Sequence, residues 1–144
     1  MAAVVLRSLL VGSLLMLAGA AAAQTTMMFD PRVVDDGAKA SLLSRTDPVR
    51  ANDVLRSCVR TTQQVSAGDR HQGQVNLGFC AAFDIGVAAI AGHDRRSDAG
   101  AVGQETSERV AGYLSALGAR RDQLAPTVDM LRNQVAARLR VYSP

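Results

Sequence analysis

The segment FCAAFDIGVAAI, residues 79–90, has the clearest helical pattern in this chain. Its large apolar side chains recur at spacings of one, three and four, which places them in one broad stripe on a helix: Phe79, Cys80, Phe83, Val87 and Ile90. Gly86 lies on the same side. A glycine costs a helix about 1 kcal/mol relative to alanine, and one physical use of it is to let another helix approach closely. The segment therefore predicts a core helix.

Three more helices are predicted around this segment, over about 47–68, 105–117 and 125–144, because apolar residues recur there at spacings of three and four. Residues 91–104 are polar, charged and bounded by glycine, which is typical of an exposed loop. No strand-like alternation of useful length occurs. The sequence therefore predicts an all-α fold, a small bundle of about four helices, over residues 47–144.

The stretch before the first of these helices has no sustained apolar period. Residues 24–46 are therefore predicted to be a flexible N-terminal arm. Asp47 and Pro48 then supply an N-cap and a proline suited to the first helical position. At the other end of the chain, Pro126 is expected in the first turn of the last helix, where a proline is tolerated.

Residues 1–23 have the pattern of a cleavable signal peptide. Arg7 closes a short n-region, an apolar run follows, and small residues at Ala21 and Ala23 fit a cleavage site before Gln24. The apolar run is shorter than the roughly 20 residues that span a bilayer, which disfavours the alternative of an uncleaved anchor. No later segment is expected to be apolar enough to cross a membrane, and no membrane insertion is expected after the signal is cleaved. The chain is therefore predicted to be exported.

The charge of the chain after residue 23 is small. It contains all 13 acidic residues and 15 of the 16 basic ones, a formal net charge of +2, so the sequence pI near 9.4 overstates the case for nucleic acid. A charge of this size spread along the chain gives a weak electrostatic field. Nucleic acid is therefore not expected as a partner.

Cys58 and Cys80 are the two cysteines of the chain. An even number in an exported protein indicates a disulfide, and both residues lie on predicted apolar helix faces, so the bond would join the first two helices at their buried seam. Closing a loop of about 20 residues contributes roughly 3 kcal/mol in the chain-entropy model. The alternatives are two buried free thiols or a metal-binding pair, which would need further ligands of suitable spacing.

Few residues could carry out chemistry or bind a partner. Catalysis needs a converging set of reactive side chains, whereas His71 lies in a polar linker and His93 in the predicted 91–104 loop. We therefore predict a non-enzymatic protein with no metal and no cofactor. Loops on a rigid scaffold often carry function, so His93, Arg95 and Arg96 are the candidate partner-binding residues. The alternative is a charged loop that is merely solvated.

Four short motifs carry a resemblance to a known family: Asp53–Cys58, Cys80–Val87, Arg109–Leu114 and Val141–Pro144. They resemble the Rap/Tai family of type VI secretion immunity proteins, in which a leucine-containing turn ends in cysteine and a Cys-x-Gly-Tyr-x-x-Gly-like helix follows about twenty residues later. The resemblance covers about residues 50–144. Ala82 and Phe83 depart from the Gly and Tyr that the family often has, and the further cysteines of many members are missing.

The resemblance implies a periplasmic helical protein that binds and inhibits a peptidoglycan amidase-type toxin. No binding residue can be carried over by matching, because those surfaces vary within the family. Two other functions stay open: an acid-stress or general envelope chaperone, and a periplasmic helical domain with no dedicated toxin. The sequence also leaves open whether the chain forms a homodimer.

Overall fold

The computed structural model describes residues 25–65 and 69–143 of the chain, and within them the regular structure is helical. The predicted signal peptide and the predicted end of the first helix near Gly68 lie outside the described residues. Five helices of ten residues or more follow one another: α1 (Pro31–Ala40), α2 (Pro48–Gln64), α3 (Arg70–His93), α4 (Ala99–Ala116) and α5 (Arg121–Tyr142). A single helical turn, Leu43–Thr46, lies between α1 and α2. The predicted all-α class is confirmed, with one helix more than the four expected.

Aspartate side chains cap the first three helices. Asp30, Asp47 and Asp69 each accept a hydrogen bond from a backbone N–H in the first turn of the helix that follows, at 2.9–3.1 Å. Such a cap satisfies one of the unpaired N–H groups at a helix start and contributes about 1 kcal/mol. The predicted start of α2 at Asp47 and Pro48 is confirmed.

Helix α3 is the centre of the bundle and contacts all four other helices. It contributes the largest share of the buried residues, whereas α2 lies at the periphery and buries only Ala51 and Cys58. The core around α3 is closed by apolar side chains from the other helices: Val34, Ala38, Val110, Tyr113, Leu114, Leu131 and Val135.

Helix α1 lies in the segment that the sequence predicted to be a flexible arm, so the bundle extends from Pro31 and not from residue 47. It packs against α3 so closely that a Cβ on Gly37 would lie 2.6 Å from the carbonyl oxygen of Phe79. A Cβ on Gly86 of α3 would collide with the side chain of Ser41, just after α1. The expected close approach at Gly86 is therefore made by the chain that follows α1.

The predicted loop over residues 91–104 is wrong for most of its length. Helix α3 continues to His93 and α4 begins at Ala99, which leaves a loop of residues 94–98. Gly100 and Gly103 favour a loop in the sequence, but a glycine only weakens a helix, by about 1 kcal/mol, and does not interrupt it as proline does.

The last helix begins earlier than the sequence predicted. Helix α5 starts at Arg121, so Pro126 lies inside the helix and not in its first turn. Because proline has no N–H, the carbonyl of Asp122 lacks its usual helical donor. Gln123 reaches back to the backbone N–H of Arg120 at 3.0 Å and fixes the earlier start.

The predicted disulfide is confirmed. Cys58 of α2 and Cys80 of α3 are bonded, with their Cα atoms 5.6 Å apart, and both are almost fully buried. The bond fastens the peripheral helix to the central one. It closes a segment 22 residues long, as expected from the sequence.

Helix α3 is also long and apolar enough, by length and composition alone, to cross a membrane, with a mean hydropathy of 1.7 in its most apolar window. The expectation that no segment after the signal has this character was therefore wrong. The same window is 67% buried inside the bundle, which is the pattern of a core helix.

Candidate functional site

A carboxylate lies in the centre of the bundle. Asp84 of α3 is 0% exposed and accepts four hydrogen bonds from side chains of α4. Arg109 donates two of them, from Nε and Nη2, each at 2.8 Å. Tyr113 donates one at 3.0 Å and Thr106 one at 2.9 Å. We call these four residues the Asp84 cluster.

The spacing along α4 explains how three donors reach one carboxylate. Thr106, Arg109 and Tyr113 follow one another at intervals of three and four, so they lie on one face of the helix. The hydrogen bond to Asp84 raises the pKa of Arg109 and keeps the guanidinium charged. Burial, together with the charge of Asp84, raises the pKa of Tyr113, which therefore acts as a neutral donor. The cluster joins α3 to α4.

An open groove lies between α2 and α4, directly outside the Asp84 cluster, with a volume of about 700 Å³. We call it the arginine groove. Arg109 is the residue common to the groove and the cluster, with 26% of its side chain exposed. The residues of α2 that line the groove are Asn52, Asp53, Leu55, Arg56, Val59 and Arg60.

A second groove of about 550 Å³ lies on the other side of α2, between α1, α2 and α3. The disulfide forms part of its wall, together with Val33, Val54 and Phe79. Helix α2 therefore has a groove on each side and is held at its middle by a covalent bond.

The sequence-predicted binding residues lie around the short loop between α3 and α4. His93 is the last residue of α3 and is 79% exposed, and Arg95 is exposed with a φ of 53°. Arg96 donates two hydrogen bonds to the carboxylate of Asp98 within the same loop. The structure therefore brings the three residues together at one exposed end of the bundle, away from the Asp84 cluster.

The loop is anchored at its start. Asp94 accepts two hydrogen bonds from Arg45, at 2.8 and 2.6 Å, and Arg45 also donates to the hydroxyl of Ser143. The bond to Arg45 lowers the pKa of Asp94 to about 2. One arginine thus connects the loop, the helical turn at 43–46 and the C-terminal end of α5.

The Asp84 carboxylate is enclosed by its own donors. All four hydrogen bonds to Asp84 come from inside the cluster, so its carboxylate has no open side toward a substrate. Within residues 25–65 and 69–143, no three His, Cys, Asp or Glu residues come together as metal ligands. His71 lies exposed in the first turn of α3, remote in sequence from His93 at its other end.

Sequence reasoning did not select the residues of the Asp84 cluster as functional. It assigned Tyr113 to an apolar stripe and used Asp84 and Arg109 only within motifs. One signal was present: between Arg70 and His93, Asp84 is the single charged residue. A charge in the middle of a long uncharged core helix needs a buried partner, and α4 offers Arg109.

Comparison with known proteins finds no match. No family model matches the sequence, and neither a curated protein nor a solved structure is similar to it.

Proposed function

We propose that this chain is an exported, non-enzymatic immunity-type protein that binds and inhibits a peptidoglycan amidase-type toxin in the periplasm. The disulfide carries the proposal, because it joins α2 to α3 at the two cysteines on which the resemblance to the Rap/Tai proteins rests. The two grooves beside α2 lie on a helix that the disulfide holds in place. Such a rigid surface suits an inhibitor that covers the cleft of another protein.

A rigid scaffold supports inhibition for a thermodynamic reason. The entropic cost of binding is smaller when loops and side chains are already held in the bound conformation. Helix α2 is fixed to α3 by the disulfide, and α4 is fixed to α3 by the Asp84 cluster. The exposed surface of α2 and α4 is therefore held in place before any partner arrives.

The loop between α3 and α4 is the first candidate contact. Asp94 is held by Arg45, and Arg96 is held by Asp98, so the loop is ordered while Arg95 extends into solvent. Arginine is enriched among residues that dominate the energy of protein interfaces.

The first test is a capture experiment with the oxidised chain lacking residues 1–23 as bait, in lysate of its own organism. Recovery of one peptidoglycan hydrolase, followed by inhibition of its activity on purified peptidoglycan, is the expected result. A captured hydrolase that keeps full activity at saturating bait would remove inhibition from the proposal. Recovery of many unfolded envelope proteins, mainly at acid pH, would favour the chaperone.

The loop is tested by replacing both of its arginines. Arg95→Ala with Arg96→Ala is expected to weaken binding of the captured hydrolase at least ten-fold, about 1.4 kcal/mol, without changing the melting temperature. Arg140→Ala, an exposed arginine of α5, is the control and is expected to bind normally. Unchanged affinity in the double variant would remove the loop from the interface.

A further inference from the structure

The arginine groove is lined by both apolar and cationic side chains. Leu55 and Val59 of α2 provide the apolar surface, and Val59 is 43% exposed although it is a large apolar side chain. Arg56 and Arg60 lie on one side of the groove and Arg109 on the other. Asp53 is the one acidic residue among those that line it.

The guanidinium of Arg109 is held by two carboxylates. Nε and Nη2 donate to Asp84, whereas Nη1 makes only a 3.5 Å ion pair with Glu105, whose side chain is 66% exposed. The charge of Arg109 is therefore paired within the bundle.

The other two arginines have little to neutralise them. Within the described residues, Arg60 has no ion-pair partner. Arg56 is 3.7 Å from Asp53, but both side chains are largely exposed, and ion pairs of this kind contribute little. Arg56 and Arg60 together outweigh the single charge of Asp53, so this side of the groove carries positive charge that is available to a ligand.

We propose that the arginine groove binds an acidic segment of a partner protein, with carboxylates on Arg56 and Arg60 and an apolar side chain on Leu55 and Val59. Charge complementarity selects this partner, because arginine pairs with carboxylates through parallel hydrogen bonds. This inference rests on the proposed function in one respect, which is that the partner is a protein.

The test uses a peptide of defined chemistry. A fluorescent peptide of about 14 residues, close to four helical turns, carries leucine at every third or fourth position and glutamate elsewhere. Its twin has glutamine in place of every glutamate. Fluorescence anisotropy with the oxidised chain lacking residues 1–23 measures both affinities. We expect the glutamate peptide to bind at least ten-fold more tightly, and this difference to shrink as salt is raised to about 0.5 M.

Charge reversal locates the binding. Arg56→Glu with Arg60→Glu is expected to weaken binding of the glutamate peptide at least ten-fold, and the milder pair Arg56→Gln with Arg60→Gln less strongly. The matched control reverses two exposed arginines outside the groove, Arg50→Glu with Arg140→Glu. It changes the net charge by the same amount, so it measures the effect of net charge alone, and we expect it to change the affinity less than three-fold. Helix content and melting temperature are recorded for each variant. If the double glutamate variant fails to fold, the double glutamine variant is used as the test of the groove.

Three results would overturn the proposal. They are equal affinity for the two peptides, equal weakening by the groove and control reversals, and full displacement of the peptide by millimolar inorganic phosphate, which would indicate a site for small anions. Peptide binding without any captured hydrolase would leave the groove standing and reject the proposed function. A captured hydrolase that binds the charge-reversed protein normally would reject the groove alone.

Discussion

Replacing Arg109 with methionine tests whether the Asp84 cluster holds the bundle together. The carboxylate of Asp84 would keep its hydrogen bonds from Tyr113 and Thr106 but lose the two from the guanidinium. Removing one partner of a buried ion pair costs about 3–5 kcal/mol, because the other charge stays desolvated. Since Arg109 is 26% exposed, water can partly replace it, and we expect a loss of about 3 kcal/mol.

Urea unfolding followed by helical circular dichroism measures this loss. For a chain of this size, a loss of about 3 kcal/mol lowers the unfolding midpoint by roughly 1–3 M urea. The control is Arg132→Met, which removes an exposed arginine that donates to Ser107 at 3.0 Å, and it should cost less than about 1 kcal/mol.

A second substitution shows how much of the stability lost in Arg109→Met comes from the unpaired charge of Asp84 and how much from lost packing. Asp84→Asn keeps the shape of the side chain but removes its charge, so the double variant Asp84→Asn with Arg109→Met is expected to be more stable than Arg109→Met alone by about 1–2 kcal/mol. If Arg109→Met unfolds with the same midpoint as the Arg132 control, or if the second substitution makes the protein less stable still, the buried charge does not hold α3 to α4 as argued.

The remaining predictions concern the disulfide, the helix packing and one ion pair. Cys58→Ser should lower the free energy of unfolding by about 3 kcal/mol, and dithiothreitol should then have no further effect; equal stability to the oxidised protein would contradict the loop-closure argument. Gly86→Ala should destabilise by about 1–3 kcal/mol because its new methyl group has no space beside Ser41, whereas Gly112→Ala, with open space around it, should be neutral or stabilising by up to about 1 kcal/mol. A reversed order in thermal unfolding would refute the close packing of Ser41 against α3. Because Arg45 lowers the pKa of Asp94 in the folded state, the stabilisation by this pair is present above about pH 4 and is lost as the pH falls toward 2. An NMR titration of the Asp94 carboxyl carbon should give a pKa near 2 in the native protein and a higher one in Arg45→Gln; the same pKa in both would refute the pairing.

The helical class and the disulfide could be read from local patterns. The stripe over residues 79–90 and the cap at Asp47 depend on residues within a few positions of each other, so the sequence contains the physical cause directly. The pairing of Cys58 with Cys80 needed no structure either, because a chain with two cysteines allows one intramolecular bond.

Helix α1 and the short loop were missed for opposite reasons. Asp30 and Pro31 carry the same capping signal as Asp47 and Pro48, but the helix after them spans only ten residues and its apolar period is too short to stand out. At residues 99–104 the local glycines favoured a loop, whereas continuing the helix gives the backbone groups their partners, as in the 3.0 Å bond from the N–H of Val102 to the carbonyl of Asp98.

The sequence alone indicated that this chain is helical and that residues 79–90 form a core helix, because both follow from spacing along one segment. The even number of cysteines indicated the disulfide. Which helix faces meet became known from the fold. Asp84 and Arg109 are 25 residues apart, and the arginine groove takes its walls from two helices that are not consecutive in the chain. The free energy of a buried charge and the shape of a groove depend on neighbours in space, which no local period encodes.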